Sequence, residues 1–397
     1  MNVLDIALVA GAVAPLVAGL YLVTASALCR RRSPLQPGTS APSLVVVVPA
    51  HNEEAGIAAT IRSLQAADYP AGRRRIVVVA DNCDDGTANV ARAAGAEVFE
   101  RHDGSRRGKG FALQFAIDRL LQAAGWDLLV VVDADTDVSR NFLRALAAAL
   151  DAGASAAQAL YLPRHTARPA AVNVITEVAL VAFHLVRSTA RERLALSCGL
   201  RGNGMAFTRQ VLSTVPHEAF SRTEDLEFGI LLGLAGERVA FCGDAVVRGD
   251  MPDRAAAVAQ QRERWMGGRF DMTRRYLWRL VSAAFRRRDA MLADLAIDLL
   301  LPPLSVLVMA IAAGVTASAI AVLLGGSLTP FVLWLAAGAA VGVHVAHAVV
   351  LARRWRDLPR LALSLPGYAA GKCVVATRAL IRNDQRWLRT QRQGELS

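Results

Sequence analysis

The chain has 397 residues, 54% of them hydrophobic, with a mean hydropathy of +0.33 and a formal net charge of +11. It is too apolar for an ordinary soluble protein, although a charged fraction of 20% keeps much of it in water. No groove-reading motif accompanies the positive charge and no CxxC spacing occurs among the five cysteines, which argues against nucleic-acid binding, zinc modules and a disulfide framework.

The first element runs from Val3 to about Leu28 and is apolar except for Asp5. It is long enough to cross a bilayer as a helix, which takes about 20 residues. The basic cluster Arg30-Arg31-Arg32 follows the run, whereas a cleaved signal peptide has its basic residues in front. Residues 1–30 therefore read as a retained anchor with its C-terminal end in the cytoplasm.

From Ser43 onward strand and helix signals alternate. Leu44–Val48, Ile76–Ala80 and Leu128–Val132 read as buried strands. Between them, 53–65, with Asn52 as its cap, 87–94 and 110–124 read as helices, and Glu97–Phe99 as a short strand. The alternation predicts an α/β layer with a mainly parallel sheet over residues 40–275. Ligands bind such sheets outside the carboxyl ends of the strands, where this chain places Glu53, Asp81 and the pair Asp133/Asp135. No GxGxxG follows any strand, so a dinucleotide fold is disfavoured.

Two further apolar stretches follow, about 295–324 and 331–351, joined by Gly325-Gly326-Ser327. They predict a transmembrane hairpin over 290–355, kinked at Pro302-Pro303, with both outer ends cytoplasmic beside Arg286–Arg288 and Arg353-Arg354. The basic tail, 356–397, reads as an interfacial or re-entrant segment, with a further span as the alternative.

Asp133 and Asp135 repel each other unless they share a cation, and oxygen ligands with nearby substrate phosphate suit Mg²⁺ or Mn²⁺; a solvated acidic turn is the plainer reading. Gln261, Arg264 and Trp265 have the i, i+3, i+4 spacing that puts them on one helical face. Arg264 offers a fork of donors and Trp265 a flat apolar face, unless the pair only anchors lipid headgroups. Thr223-Glu224-Asp225 could be the acidic start of a helix. Lys109 could be an ordinary surface cation.

Taken in order, the motifs resemble those of membrane-bound family-2 glycosyltransferases with the GT-A fold. These are Val45–Glu54, Val77–Thr87, Asp133-Ala-Asp135, Thr223-Glu-Asp225 and Gln261-Arg-Glu-Arg-Trp265. The branch concerned makes cellulose, chitin, hyaluronan and poly-N-acetylglucosamine. Ala80 departs from the pattern, since many members carry an acidic residue there. The resemblance implies a UDP-sugar donor and an inverting transfer to a growing polysaccharide at the inner face of the cell inner or plasma membrane. Transfer of one sugar to a polyprenyl phosphate or other lipid is the alternative, and a catalytically silent scaffold subunit is the non-enzyme reading. Asp81 and Glu53 would serve the nucleoside, Lys109 the nucleotide and Asp133/Asp135 the metal. Asp225 would be the general base, and Glu224, Gln261, Arg264 and Trp265 would contact substrate. Asn203, in the glycine-containing stretch 199–207, would contact an acceptor hydroxyl. With so few spans, export or polymerisation partners are expected.

Overall fold

The computed structural model describes residues 2–30, 41–164, 171–250 and 255–359, together with Gly367 and Gly371. Most of the tail segment 356–397 therefore lies outside the described residues. The chain divides into two compact units.

The first unit is assembled from 1–31, 166–193 and 298–378. Among the described residues, four helices are long and apolar enough to cross a membrane: Val3–Leu28, Ala171–Arg193, Leu304–Leu323 and Thr329–Leu351. Ala12, Leu22, Ile311, Trp334, Ala337 and Val341 form the common core of the first, third and fourth. Gly19 allows the close approach: a Cβ there would lie 3.1 Å from that of Ala340. Asp5 is not stranded in the apolar run. It forms a reciprocal cap with Asn2 and accepts the Ser327 N–H at 3.1 Å. The stretch 295–324 is broken rather than kinked, one helix ending at Leu300 and the next starting at Leu304 after Pro302-Pro303.

Helix Ala171–Arg193 was not among the expected spans. It widens into a π-helical segment over Val181–Arg187 and carries Glu177, Arg187 and Arg191. Those charges are matched within the unit. Arg354 donates to Glu177 at 2.7 Å, and Asp298 accepts from Arg187 and, at 3.1 Å, from Arg191. Tyr21 lies 3.0 Å from Arg191.

The second unit holds an eight-stranded sheet. Its strands are β1 (Leu44–Ala50), β2 (Arg74–Asp81), β3 (Glu97–Arg101), β4 (Leu128–Val131), β5 (Thr136–Val138), β6 (Ala156–Pro163), β7 (Met205–Thr208) and β8 (Val239–Gly249). Their order is β3-β2-β1-β4-β7-β6-β8-β5. The first four are mutually parallel and β6 and β8 run the same way, while β7 is antiparallel to both β4 and β6, and β5 to β8, so the sheet is mainly parallel with two reversed strands. Both faces are covered. Val46 and Val48 pack on one side with Ile57, Ile61 and Phe142, and Val45 and Val47 on the other with Leu113, Ile117 and Phe228. This two-sided burial explains the unbroken valine run of β1.

The strand assignments match the expected ones within a few residues, but Asn52 is not a helix cap. The helix after β1 begins at Ile57, and Asn52 sits in the left-handed region at φ 55°. There its Oδ1 accepts the Asp84 N–H at 2.8 Å.

Candidate active site

The parallel strands β1, β2 and β4 end side by side, and their loops are stitched together. His51 Nδ1 lies 2.7 Å from the Asp81 carbonyl, and the Glu53 N–H donates to Thr87 Oγ1 at 2.7 Å. Asp81 is buried at the tip of β2, where parallel pairing sets it opposite Arg101 of β3. Arg101 Nη1 donates to its carboxylate at 2.6 Å, and Asn82 Nδ2 does so at 2.9 Å. Burial pushes the Asp81 carboxyl up from the ordinary range, and the Arg101 bond partly offsets this. Arg101 was not singled out in the sequence, because only the strand order reveals it as a neighbour.

The loop after β4 carries Asp133 and Asp135. Thr60 fixes it by donating to the Ala134 carbonyl at 2.7 Å and accepting from the Thr136 N–H at 3.1 Å. Because β7 runs antiparallel to β4, its start abuts the end of β4, and residues 202–204 arrive beside Asp133. Asn203 is fully buried there: its Oδ1 accepts the Asp133 N–H at 3.2 Å and its Nδ2 donates to Thr136 Oγ1 at 2.8 Å. This corrects the expected contact with an acceptor hydroxyl. Both ends of the amide are used internally, so Asn203 braces the aspartate loop.

Lys109 opens the helix Lys109–Leu121 and reaches across this edge. Its Nζ donates to Asp133 Oδ1 at 2.5 Å and to the Gly202 carbonyl, and lies 3.8 Å from Glu224 Oε1. Burial alone would lower its pKa, but Asp133 and Glu224 outweigh that and hold it above the usual lysine value. It is therefore no isolated surface cation. The helix sits close because Gly110 has no side chain; a Cβ would come within 2.1 Å of the Ala219 carbonyl oxygen.

Thr223 caps the helix Glu224–Ala235 without a side-chain hydrogen bond, and its buried hydroxyl has no partner, which weakens the plain capping reading. Asp225 comes so near Gly202 that a Cβ on that glycine would lie 3.3 Å from Asp225 Oδ2 and 3.8 Å from Lys109 Nζ. Asp133 and the Glu224–Asp225 pair, some ninety residues apart in the chain, thus converge on one ammonium. Burial raises both later carboxyls. Lys109 opposes the rise at Glu224 and Asp225 adds to it, which leaves Glu224 at about 7; for Asp225 the helical N–H of Leu226, Lys109 and Arg201 oppose the rise.

Gln261 and Arg264 are half-buried on the helix Ala255–Arg287, and Trp265 is 37% exposed. Arg264 bears on the charge of Glu224, and its Nε is buried without a hydrogen-bond partner. Among the described residues, no group of three or more His, Cys, Asp or Glu side chains could enclose a metal. Asp133 and Asp135 together suit a cation that takes its remaining ligands from water and substrate phosphate.

A family model described as "Glycosyltransferase like family 2" matches residues 41–268, which span all eight strands, the aspartate loop, Asp225 and Trp265. The chain belongs to this family. Among family relatives, a beta-monoglucosyldiacylglycerol synthase of Synechocystis sp. is 29% identical over 67% of this chain and 56% of its own length. One of Trichormus variabilis is 27% identical over 61% of this chain and 52% of its own length. The chain thus spans about half the length of these curated relatives. The solved mannosyltransferase PcManGT of Pyrobaculum calidifontis, in complex with GDP-Man and Mn²⁺, shares the fold. Its TM-score is 0.60 at 22% identity, covering 96% of this chain and 100% of that one.

Proposed function

We propose that this family-2 member is an inverting glycosyltransferase that moves one sugar from a UDP-sugar to a hydroxyl of a membrane lipid. The observation that carries the reading is the convergence of Asp133, Glu224 and Asp225 around Lys109 at the carboxyl edge of the sheet. Two relatives bear the name of a lipid glycosyltransferase, and four helices of membrane-crossing length accompany the site.

In this reading Asp225 accepts the proton of the acceptor hydroxyl as its oxygen bonds to the anomeric carbon. The bond from that carbon to the diphosphate breaks on the opposite side, so configuration inverts and the nucleoside diphosphate departs. Burial raises the Asp225 carboxyl above its ordinary range, which strengthens it as a base. Asp81 and Glu53 serve the nucleoside, and Arg264 and Trp265 the diphosphate and the acceptor sugar or headgroup. Asp133 and Asp135 would hold Mg²⁺ or Mn²⁺, which supplies charge neutralisation at the diphosphate. The arginine-rich flanks, Arg286–Arg288 and Arg353-Arg354, favour a multi-pass protein with this site on the cytoplasmic side of the inner or plasma membrane.

Extension of a polysaccharide, with export or polymerisation partners, is the second reading, favoured by the Gln261-Arg264-Trp265 pattern. The test is incubation of the purified protein with labelled nucleotide-sugars, Mn²⁺ and lipid vesicles, followed by sizing of the product. One sugar on a lipid supports the first reading and a ladder the second. No transfer from any donor would support a silent scaffold.

A further inference from the structure

The helix Ala255–Arg287 carries Gln261, Arg264 and Trp265, and two contacts that touch no reacting atom hold it to the Thr223–Asp225 turn. The first is Glu227, whose side chain is buried at 2% exposure. Its Oε2 accepts the Ser221 N–H at 3.0 Å. Its Oε1 accepts from Arg275 Nη1 at 2.8 Å and from Tyr276 Oη at 2.9 Å. One carboxylate thereby ties the loop entering the turn and the helix leaving it to the long helix. The second contact is Gly268, one turn beyond Arg264 and Trp265. A Cβ at that position would lie 2.5 Å from Thr223 Cγ2 and 2.8 Å from its Oγ1. Met272, Tyr276 and Leu280 continue the same buried face. Since the Thr223 hydroxyl makes no hydrogen bond, its place is set by packing against that glycine.

We infer that Glu227 and Gly268 are positioning residues that set the spacing between the Gln261/Arg264/Trp265 face and the Glu224–Asp225 carboxylates. They govern use of the acceptor more than binding of the nucleotide, because the loops after β1, β2 and β4 are fixed by other contacts and only Arg264 of the nucleotide's proposed partners rides on this helix. Removing Glu227 leaves the Tyr276 hydroxyl without its buried acceptor, releases the exposed Arg275 to solvent and frees the Ser221 amide, and a methyl at Gly268 pushes the helix off Thr223. A displacement of about 1 Å at such a joint costs on the order of 100-fold in rate.

The inference rests on the transferase reading, so its test includes a measurement independent of activity. Full-length Glu227→Ala, Glu227→Gln and Gly268→Ala proteins are compared with wild type by hydrogen exchange, by binding of UDP with Mn²⁺, and by acceptor kinetics. Peptides covering 219–226 and 262–276 should lose protection together while 44–50 keeps its own. UDP affinity should fall by no more than about tenfold, the share of the Arg264 contact, and kcat/KM for the acceptor should fall about 100-fold in the alanine variants. Gln, which keeps one of the two acceptor oxygens, for either Ser221 or Tyr276, should recover part of the loss. The inference is overturned if the two peptides respond independently, if UDP affinity falls in step with acceptor use, or if only thermal stability changes. A wild type that transfers no sugar would defeat the transferase reading, and the exchange pattern alone would then decide the joint.

Discussion

Glu224 and Asp225 are adjacent carboxyls with little water and one nearby ammonium, and burial is the larger influence on both. Glu224 rises from 4.5 to about 7. A carboxyl whose pKa is raised by folding binds its proton more tightly in the folded state. Its stabilising contribution is full below 4.5 and is lost as pH rises through about 7. Glu224→Gln removes that loss. Its unfolding temperature should exceed that of wild type at about pH 8.5 and match it at about pH 5, as differential scanning fluorimetry can show; equal shifts at both pH values would contradict this. The Asp133 and Asp225 motifs were legible because they stand in an ordered set in the sequence, whereas Lys109 lies in none of them and its place beside the carboxylates shows only in the fold. The inward turn of Asn203 and the Arg101 partner of Asp81 were not legible either. An amide reads the same in a loop whether it faces a substrate or braces a backbone, and Arg101 becomes a neighbour only once β3 is placed beside β2.

Among the elements, the helix Ala171–Arg193 escaped the sequence reading because Glu177, Arg187 and Arg191 interrupt its apolar pattern. Apolar runs reveal helices whose charges are absent, not those whose charges are matched by distant residues. Asp298 lies more than a hundred positions from both arginines it binds. Asp298→Asn should leave two buried guanidinium groups without their anion and destabilise the fold by about 3–5 kcal/mol, measurable by thermal unfolding in detergent. An unchanged unfolding temperature would show that the pair is dispensable. The strands β1, β2 and β4 were readable from their two-sided apolar runs. The reversal at β7 was not, since strand direction is set by pairing across the sheet. That reversal is what delivers residues 202–204 to Asp133 and Asp225.

At the scale of the whole molecule, a family-2 α/β unit and a unit of apolar helices share one chain whose segments alternate between them. Composition pointed to the apolar helices and to a water-facing remainder, and the α/β unit was read from the alternation of strand and helix signals. The acceptor is less legible, since a lipid headgroup and a sugar-chain end both present a hydroxyl. The most direct test is to measure sugar transfer and UDP–Mn²⁺ binding side by side in wild type and Asp225→Asn. Transfer should fall by a factor on the order of 100 to 10,000 while nucleotide affinity is retained. Transfer that persists at the wild-type rate would show that Asp225 is not the base around which the site is built.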